Sequence, residues 1–148
     1  MRIQRVCVAL AVVSLIGSPA WADDFCPNLK TALASARTNF TNIPGPADDI
    51  MTDWRDTKLT LPYATDCNVD TDKRDLSYFC SWPKEQGAAV NARYKYMVRQ
   101  TDQCLAGFQK TTGNMITTWH GAAGTVTVDG RHVMPNTQTW ALMLTVKR

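Results

Sequence analysis

The sequence predicts an α+β domain in which two helices pack on one face of an antiparallel sheet, in the approximate order α-β-β(-β)-α-β-β-β. Two apolar stripes with helical spacing and several short segments with strand-like alternation predict these elements. The short connections between the strand candidates favour antiparallel pairing, because parallel strands need long crossovers. Both helical stripes need a sheet face on which to bury their apolar side chains. No internal repeat is visible in the sequence.

The first helix is predicted to begin near Asp24 and Pro27, which suit the cap and the first turn of a helix. Its apolar stripe steps by four, three, four and three residues and consists of Leu29, Leu33, Ala36, Phe40 and Ile43. Side chains at this spacing lie on one side of a helix. The tripeptide Pro44-Gly45-Pro46 is expected to end it.

Three strand candidates precede the second helix, at Thr57 to Leu61, Asp66 to Asp70 and Leu76 to Trp82. Residues 47–56 are ambiguous between a short helical turn and a loop. Pro83 is expected to open the second helix. Its stripe is the most regular in the chain and consists of Val90, Tyr94, Met97, Thr101, Cys104 and Phe108. We interpret this stripe as facing the core.

The C-terminal part of the chain is predicted to be a hairpin and a final strand. Thr125 to Val128 and Arg131 to Met134 are the two hairpin strands, because Asp129-Gly130 between them is a strong signal for a two-residue turn. The final strand covers Thr139 to Val146 and places one set of alternating apolar side chains on one face: Trp140, Leu142, Leu144 and Val146.

Residues 1–22 are predicted to be a cleaved secretory signal peptide, and residues 23–148 a single domain. Arg2 and Arg5 precede an apolar run of eleven residues, too short for a membrane span of roughly twenty residues. Ala20-Trp21-Ala22 then gives the small-x-small pattern of a cleavage site. The predicted location is therefore the periplasm or the extracellular medium, with no membrane span in the mature chain.

We expect the mature protein to begin at Asp23, directly after the small-x-small tripeptide. Intact-mass measurement of protein recovered from the cell envelope or the medium checks this cleavage. A mass that still includes residues 1–22 would contradict it.

Four cysteines lie after the signal peptide, and an even number in a short exported chain predicts two disulfides. We predict the pairs Cys67–Cys80, across a short turn, and Cys26–Cys104, between the two helices. The alternative is a zinc site, which usually requires two cysteines separated by two to four residues. The four cysteines do not have that spacing.

Several classes of function lack support in the sequence. Without Arg2 and Arg5, 14 basic and 13 acidic side chains give a net charge of +1, which does not favour nucleic-acid binding. His120 and His132 do not have metal-binding spacing, and no serine lies in a G-x-S-x-G motif. We therefore assign no catalytic residue, metal or cofactor, and consider an enzyme less favoured than a binding protein.

The segment Trp119 to Gly124 is the strongest candidate for binding, because it places an indole and an imidazole beside small residues. Together with the tip at Asp129-Gly130, it is expected to form one end of the sheet, with Trp119, His120 and Arg131 as the binding residues. The alternative is that Trp119 is a core residue beside an ordinary hairpin loop.

These features predict a small exported module that binds another envelope or extracellular protein, of the inhibitor or immunity type. Two alternatives stay open, a small cell-envelope hydrolase and a structural envelope component. Two converging carboxylates, or a histidine beside a carboxylate, would favour the hydrolase. The sequence does not determine the oligomeric state.

Overall fold

A computed structural model of the chain describes residues 24–47, 53–133 and 140–148. Helix α1 is Phe25–Ala36 and helix α2 is Ala88–Cys104. The strands are Pro44–Ala47 (β1), Trp54–Thr57 (β2), Asp66–Asp70 (β3), Ser77–Ser81 (β4), Gln109–Gly113 (β5), Ile116–Gly121 (β6), Gly124–Val133 (β7) and Trp140–Lys147 (β8). The predicted signal peptide lies outside the described residues, as do residues 48–52 of the ambiguous segment.

The eight strands form one antiparallel sheet in the order β1-β2-β3-β4-β8-β7-β6-β5. The predicted α+β class is therefore confirmed, with four strands after each helix. Each half of the chain is a helix followed by four consecutively paired strands, and the two halves join where β4 pairs with β8. The fold thus repeats one topological unit, although the sequence shows no repeat.

Both helices pack on the same face of the sheet and on each other. Helix α1 contacts β4, β7 and β8, and α2 contacts β7 and β8. Alternate strand residues are buried beneath the helices because successive side chains of a strand point to opposite faces. These buried strand residues include Val69, Tyr78, Cys80, Trp119, Val126, Val128, Leu142, Leu144 and Val146. The core lies between this face and the helices.

Both helices are shorter than the sequence predicts. Helix α1 ends at Ala36, and residues 37–42 form turns in which the Phe40 N–H bonds the Ser35 carbonyl at 2.8 Å. Phe40 is still fully buried, because this turn directs its ring back into the core. Helix α2 begins at Ala88, five residues after the expected start at Pro83, and ends at Cys104. After α1 the apolar spacing continues into a turn, because the Phe40 side chain in that turn is also buried. The spacing alone therefore does not show where the helix ends.

The predicted strand from Thr57 to Leu61 is wrong, because β2 ends at Thr57. The following segment, residues 58–65, crosses the helix side of the sheet as irregular chain. Two core aromatic side chains donate hydrogen bonds to backbone carbonyl groups of this segment. Tyr78 donates to the Leu59 carbonyl at 3.1 Å, and Trp82 donates to the Pro62 carbonyl at 3.0 Å. These donors replace the strand partner that a buried carbonyl would otherwise need.

The tripeptide Pro44-Gly45-Pro46 lies in the edge strand β1, where a proline without an N–H group is tolerated. The candidates Asp66 to Asp70 and Leu76 to Trp82 correspond to β3 and β4.

The predicted hairpin turn at Asp129-Gly130 is also wrong. Both residues lie inside β7, at an irregularity in its pairing with β8 between Asp129 and His132. The Gly130 N–H bonds the Met115 carbonyl at 2.8 Å, which ties this irregularity to the β5–β6 turn. The expected second hairpin strand is therefore the continuation of β7, and Met134 lies outside the described residues.

Both predicted disulfides are confirmed. Cys26–Cys104 joins the start of α1 to the end of α2, with a Cα–Cα distance of 5.1 Å. Cys67–Cys80 joins directly opposite residues of β3 and β4, with a Cα–Cα distance of 4.1 Å. Neither helix in the described part of the chain is long and apolar enough to cross a membrane. These features are compatible with an exported protein, since disulfides persist in oxidising compartments.

Candidate functional site

Trp119, the first predicted binding residue, is a core residue. It lies in β6 on the face that the helices cover, and its side chain is 1% exposed. Its indole Nε1 donates to Asp102 Oδ1 of α2 at 2.9 Å, and Lys110 Nζ lies 5.6 Å from its ring centroid. Lys110 also bonds Asp102 Oδ2 at 2.7 Å. The alternative interpretation, in which Trp119 is a core residue, is therefore correct, and its indole is not available as a surface anchor.

His120, the second predicted residue, lies on the opposite face of the sheet from Trp119 and is exposed. Its Nδ1 lies 3.4 Å from the hydroxyl of Thr125, the residue opposite it in β7. Residues 119–124 are the end of β6, a two-residue turn at Ala122 and Ala123, and the first residue of β7. The imidazole is therefore presented by a strand, next to a tight turn.

Arg131, the third predicted residue, is exposed, but a neighbouring carboxylate engages its guanidinium. Nε and Nη2 donate to the two carboxylate oxygens of Asp129 at 3.0 and 2.8 Å. This hydrogen-bonded pair raises the pKa of Arg131 above its ordinary value.

The structure does not bring the three predicted residues together. Asp129 pairs with Ile116, which lies four residues, or about 13 Å, along β6 from His120. The expectation that the segment at Trp119 and the Asp129-Gly130 tip share one end of the sheet is therefore wrong. The β6–β7 turn and the β7 irregularity lie toward opposite ends of the strand pair.

The face of the sheet opposite the helices, which we call the open face, carries alternate side chains of β2 to β8. Among the described residues, no helix lies on it. The strand register places one side chain from each of seven strands in a single central row: Asp56, Asn68, Phe79, Thr145, Thr127, Thr118 and Thr111. Sequence reasoning missed this surface, because only the register shows that these side chains are neighbours.

Four of the seven side chains in this row are threonines on adjacent strands, Thr111, Thr118, Thr127 and Thr145. Neighbouring strands lie about 4.8 Å apart, so the row forms a regular line of hydroxyl groups. The hydroxyls of Thr118 and Thr127 are 3.2 Å apart and hydrogen-bonded. Each hydroxyl both donates and accepts, so the row can bond either kind of polar group on a ligand.

An aromatic pair lies on the other half of the open face. The rings of Trp54 and Phe79 meet edge to face with centroids 4.8 Å apart, and both side chains are half-buried. Asn68 is 3% exposed in the strand between them and donates to Asp66 at 2.6 Å. The pair is therefore held in place by its neighbours and leaves part of its apolar surface accessible.

Charge is unevenly distributed over the open face. Acidic side chains from β2 and β3 surround the aromatic pair: Asp56, Asp66 and Asp70. Toward β8, Lys147 forms an ion pair with Asp75. A depression of about 500 Å³ beside it is lined by residues that include Thr125, Thr127, Asp129, Met143 and Thr145. The face therefore offers an acidic aromatic half and a neutral, hydroxyl-rich half.

Within residues 24–47, 53–133 and 140–148, no group of three His, Cys, Asp or Glu side chains could hold a metal ion. The fold and this surface define a disulfide-bonded α+β domain whose sheet has helices on one face. No family model matches the chain, and comparisons with curated proteins and with solved structures give no significant match.

Proposed function

We propose that this domain is an exported binding module, located in the periplasm or the extracellular medium, that binds another protein through its open face. The observation that carries the proposal is the central row, in which an aromatic residue and four threonines are aligned across an eight-stranded sheet. A module of the inhibitor or immunity type must present a rigid surface to a folded partner, and a row of side chains held by a sheet is such a surface.

The dimensions of the open face suit a protein better than a small molecule. Seven adjacent strands span about 29 Å between the first and the last strand axis. A stable protein interface buries roughly 800 Å² on each partner, whereas a small ligand needs an enclosed pocket. The depression of about 500 Å³ on this face lies over β7 and β8 only. A broad partner surface therefore fits better.

The side chains of the open face also match those of protein interfaces. Large aromatic rings provide much of the binding energy in such interfaces, and hydroxyl groups adapt to polar partners. Trp54 and Phe79 are already fixed against each other, so little rotamer entropy is lost when they are covered. In the described residues, His120 contacts a hydroxyl and has no carboxylate partner, so the pairing of a histidine with a carboxylate that would favour the hydrolase alternative does not occur there.

Replacing Thr127 with arginine is expected to weaken binding of the partner at least tenfold. Thr127 lies at the centre of the row, where a long charged side chain would hold a partner away from the sheet. A photo-crosslinking residue placed at Thr118 captures the partner from the cell envelope, mass spectrometry identifies it, and titration with the purified partner gives the affinity.

The matched control is Ala92→Arg, on an exposed position of α2 on the helix side of the molecule. This variant should bind the captured partner as the parent protein does. Binding that Ala92→Arg weakens and Thr127→Arg leaves unchanged would assign the interface to the helices and contradict the proposal.

A further inference from the structure

An apolar cleft lies away from the open face, between α1, the turn after α2 and the β6–β7 turn. Its volume is about 320 Å³, which lies at the lower end of the range for ligand pockets. Apolar side chains form most of its wall: Leu33, Ala34, Leu105, Phe108 and Ala123. Lys30 and Arg37 lie at its border, and Cys104, which is linked to Cys26, also lines it.

The cleft continues into a basic pocket. This second pocket shares Arg37 and Ala123 with the cleft and is also lined by His120, Thr125 and Arg148. Within the part of the chain that the structure describes, neither Arg37 nor Arg148 pairs with an acidic side chain. Two guanidinium groups and an imidazole thus border one pocket, and Arg37 stands where the apolar and basic regions meet.

The wall between the two regions is preformed. The Phe108 ring lies so close to Gly121 that a Cβ atom at residue 121 would be 2.4 Å from the ring. Only glycine permits this approach, which seats Phe108 against the end of β6. The Cys26–Cys104 disulfide fixes the start of α1 beside the end of α2 on the other side of the cleft. The apolar wall of the cleft therefore needs little ordering when a ligand binds.

We propose that the cleft binds a single-chain amphipathic carboxylate, with its hydrocarbon chain along Leu105 and Phe108 and its carboxylate against Arg37. Charge complementarity favours an anionic head group, and a guanidinium binds a carboxylate through two parallel hydrogen bonds. Thr125 and His120 offer further polar contacts at the same end of the site. The aliphatic stem of Lys30 can cover part of the chain while its ammonium group stays in water.

The lining of the cleft favours a hydrocarbon over a peptide. Among the described residues that line the cleft, none has a hydroxyl or amide side chain. The N–H and C=O groups of a peptide would lose water there without gaining side-chain partners, which is costly. A hydrocarbon chain has no such groups. The cleft shares no lining residue with the depression on the open face, although the adjoining basic pocket meets that face at His120 and Thr125. The hydrocarbon site can therefore be tested separately from the open face.

Calorimetric titration of the folded, disulfide-bonded protein with decanoate, below its critical micelle concentration, tests the site. Acetate has the same head group without the chain, and decyltrimethylammonium has the chain with the opposite charge. Decanoate is expected to bind at least tenfold more tightly than either, which corresponds to 1.4 kcal/mol. Absence of decanoate binding, or equal binding of decanoate and decyltrimethylammonium, would overturn the proposal.

Two variants locate the binding. Ala34→Gln fills the cleft from an exposed helix position, and Arg37→Gln removes the central cation. Each is expected to weaken decanoate binding at least tenfold. The matched controls, Ala92→Gln and Arg99→Gln, make the same changes on exposed positions of α2 outside the cleft and should bind decanoate as the parent does.

Parent-like binding by both Ala34→Gln and Arg37→Gln would place decanoate elsewhere and overturn the assignment. An acidic peptide, acetyl-Leu-Asp-Leu-Glu-amide, provides a further arm. If this peptide binds in the cleft and decanoate does not, the site receives a protein segment and the proposed ligand class is wrong. Circular dichroism of each variant confirms that the fold is retained before affinities are compared.

Discussion

Replacing Trp119 with alanine is expected to lower the free energy of unfolding by about 3–5 kcal/mol, the usual cost of truncating a core tryptophan. The side chain is 1% exposed and lies beneath α2. Its removal would leave a cavity and deprive Asp102 of the hydrogen bond from the indole. Urea unfolding monitored by circular dichroism measures the effect.

The adjacent residue provides the control for Trp119. His120→Ala changes an exposed side chain on the opposite face and should alter the free energy of unfolding by no more than about 0.5 kcal/mol. Trp119→Phe should retain part of the packing while losing the bond to Asp102, and should therefore fall between the other two variants. An unchanged stability in Trp119→Ala would contradict the core assignment.

Removing the Cys26–Cys104 disulfide by a double alanine substitution is expected to cost about 4.5 kcal/mol, and removing Cys67–Cys80 about 3 kcal/mol. The reason is loop length, because the cysteines are separated by 78 residues in the first pair and 13 in the second. Closing the longer loop removes more conformational entropy from the unfolded chain. The four-substitution variant should be the least stable.

Guanidinium unfolding of the two double variants, under identical conditions, measures the difference. Peptide mapping without reduction provides the control, since each double variant should retain the other native disulfide. A larger loss from the Cys67–Cys80 pair would show that contacts within the folded state outweigh the loop-length effect. Free thiols on the folded parent protein would contradict both bridges.

The sequence predicted the helices because their apolar spacing is local information. Val90, Tyr94, Met97, Thr101 and Cys104 follow the period of a helix, and all five are buried in α2. Phe108, the last residue of the predicted stripe, lies beyond the end of α2, although its side chain still packs against the core. Because buried side chains continue through the turn with the same apolar spacing, the sequence pattern does not show where the helix ends.

Strands β5 and β6 were not predicted, for a different reason. Strand β5 lies at the edge of the sheet, and all five of its residues are exposed. Its sequence therefore shows no apolar alternation. In β6 a threonine and a tryptophan occupy the buried positions, and the buried Thr117 is accommodated by a 2.6 Å hydrogen bond with Tyr94. A polar residue at a core position interrupts the alternation of apolar and polar residues, so the strand cannot be recognised from hydrophobic periodicity.

The sequence by itself predicted the α+β class and the core-facing sides of both helices, because these follow from local periodicity. It allowed three pairings of the four cysteines and favoured the pairing that the structure contains. In β8 the alternation of Leu142, Leu144 and Val146 also predicted the buried face. In β6, which the sequence did not reveal as a strand, only the tertiary structure decided which face each residue occupies. A strand reverses its side chains at every residue, so Trp119 and His120, adjacent in sequence, lie on opposite faces. Pairing across β4, β6, β7 and β8 brings Thr118, Thr127, Thr145 and Phe79 into one row. No local pattern encodes that register, because it depends on contacts between residues distant in the chain.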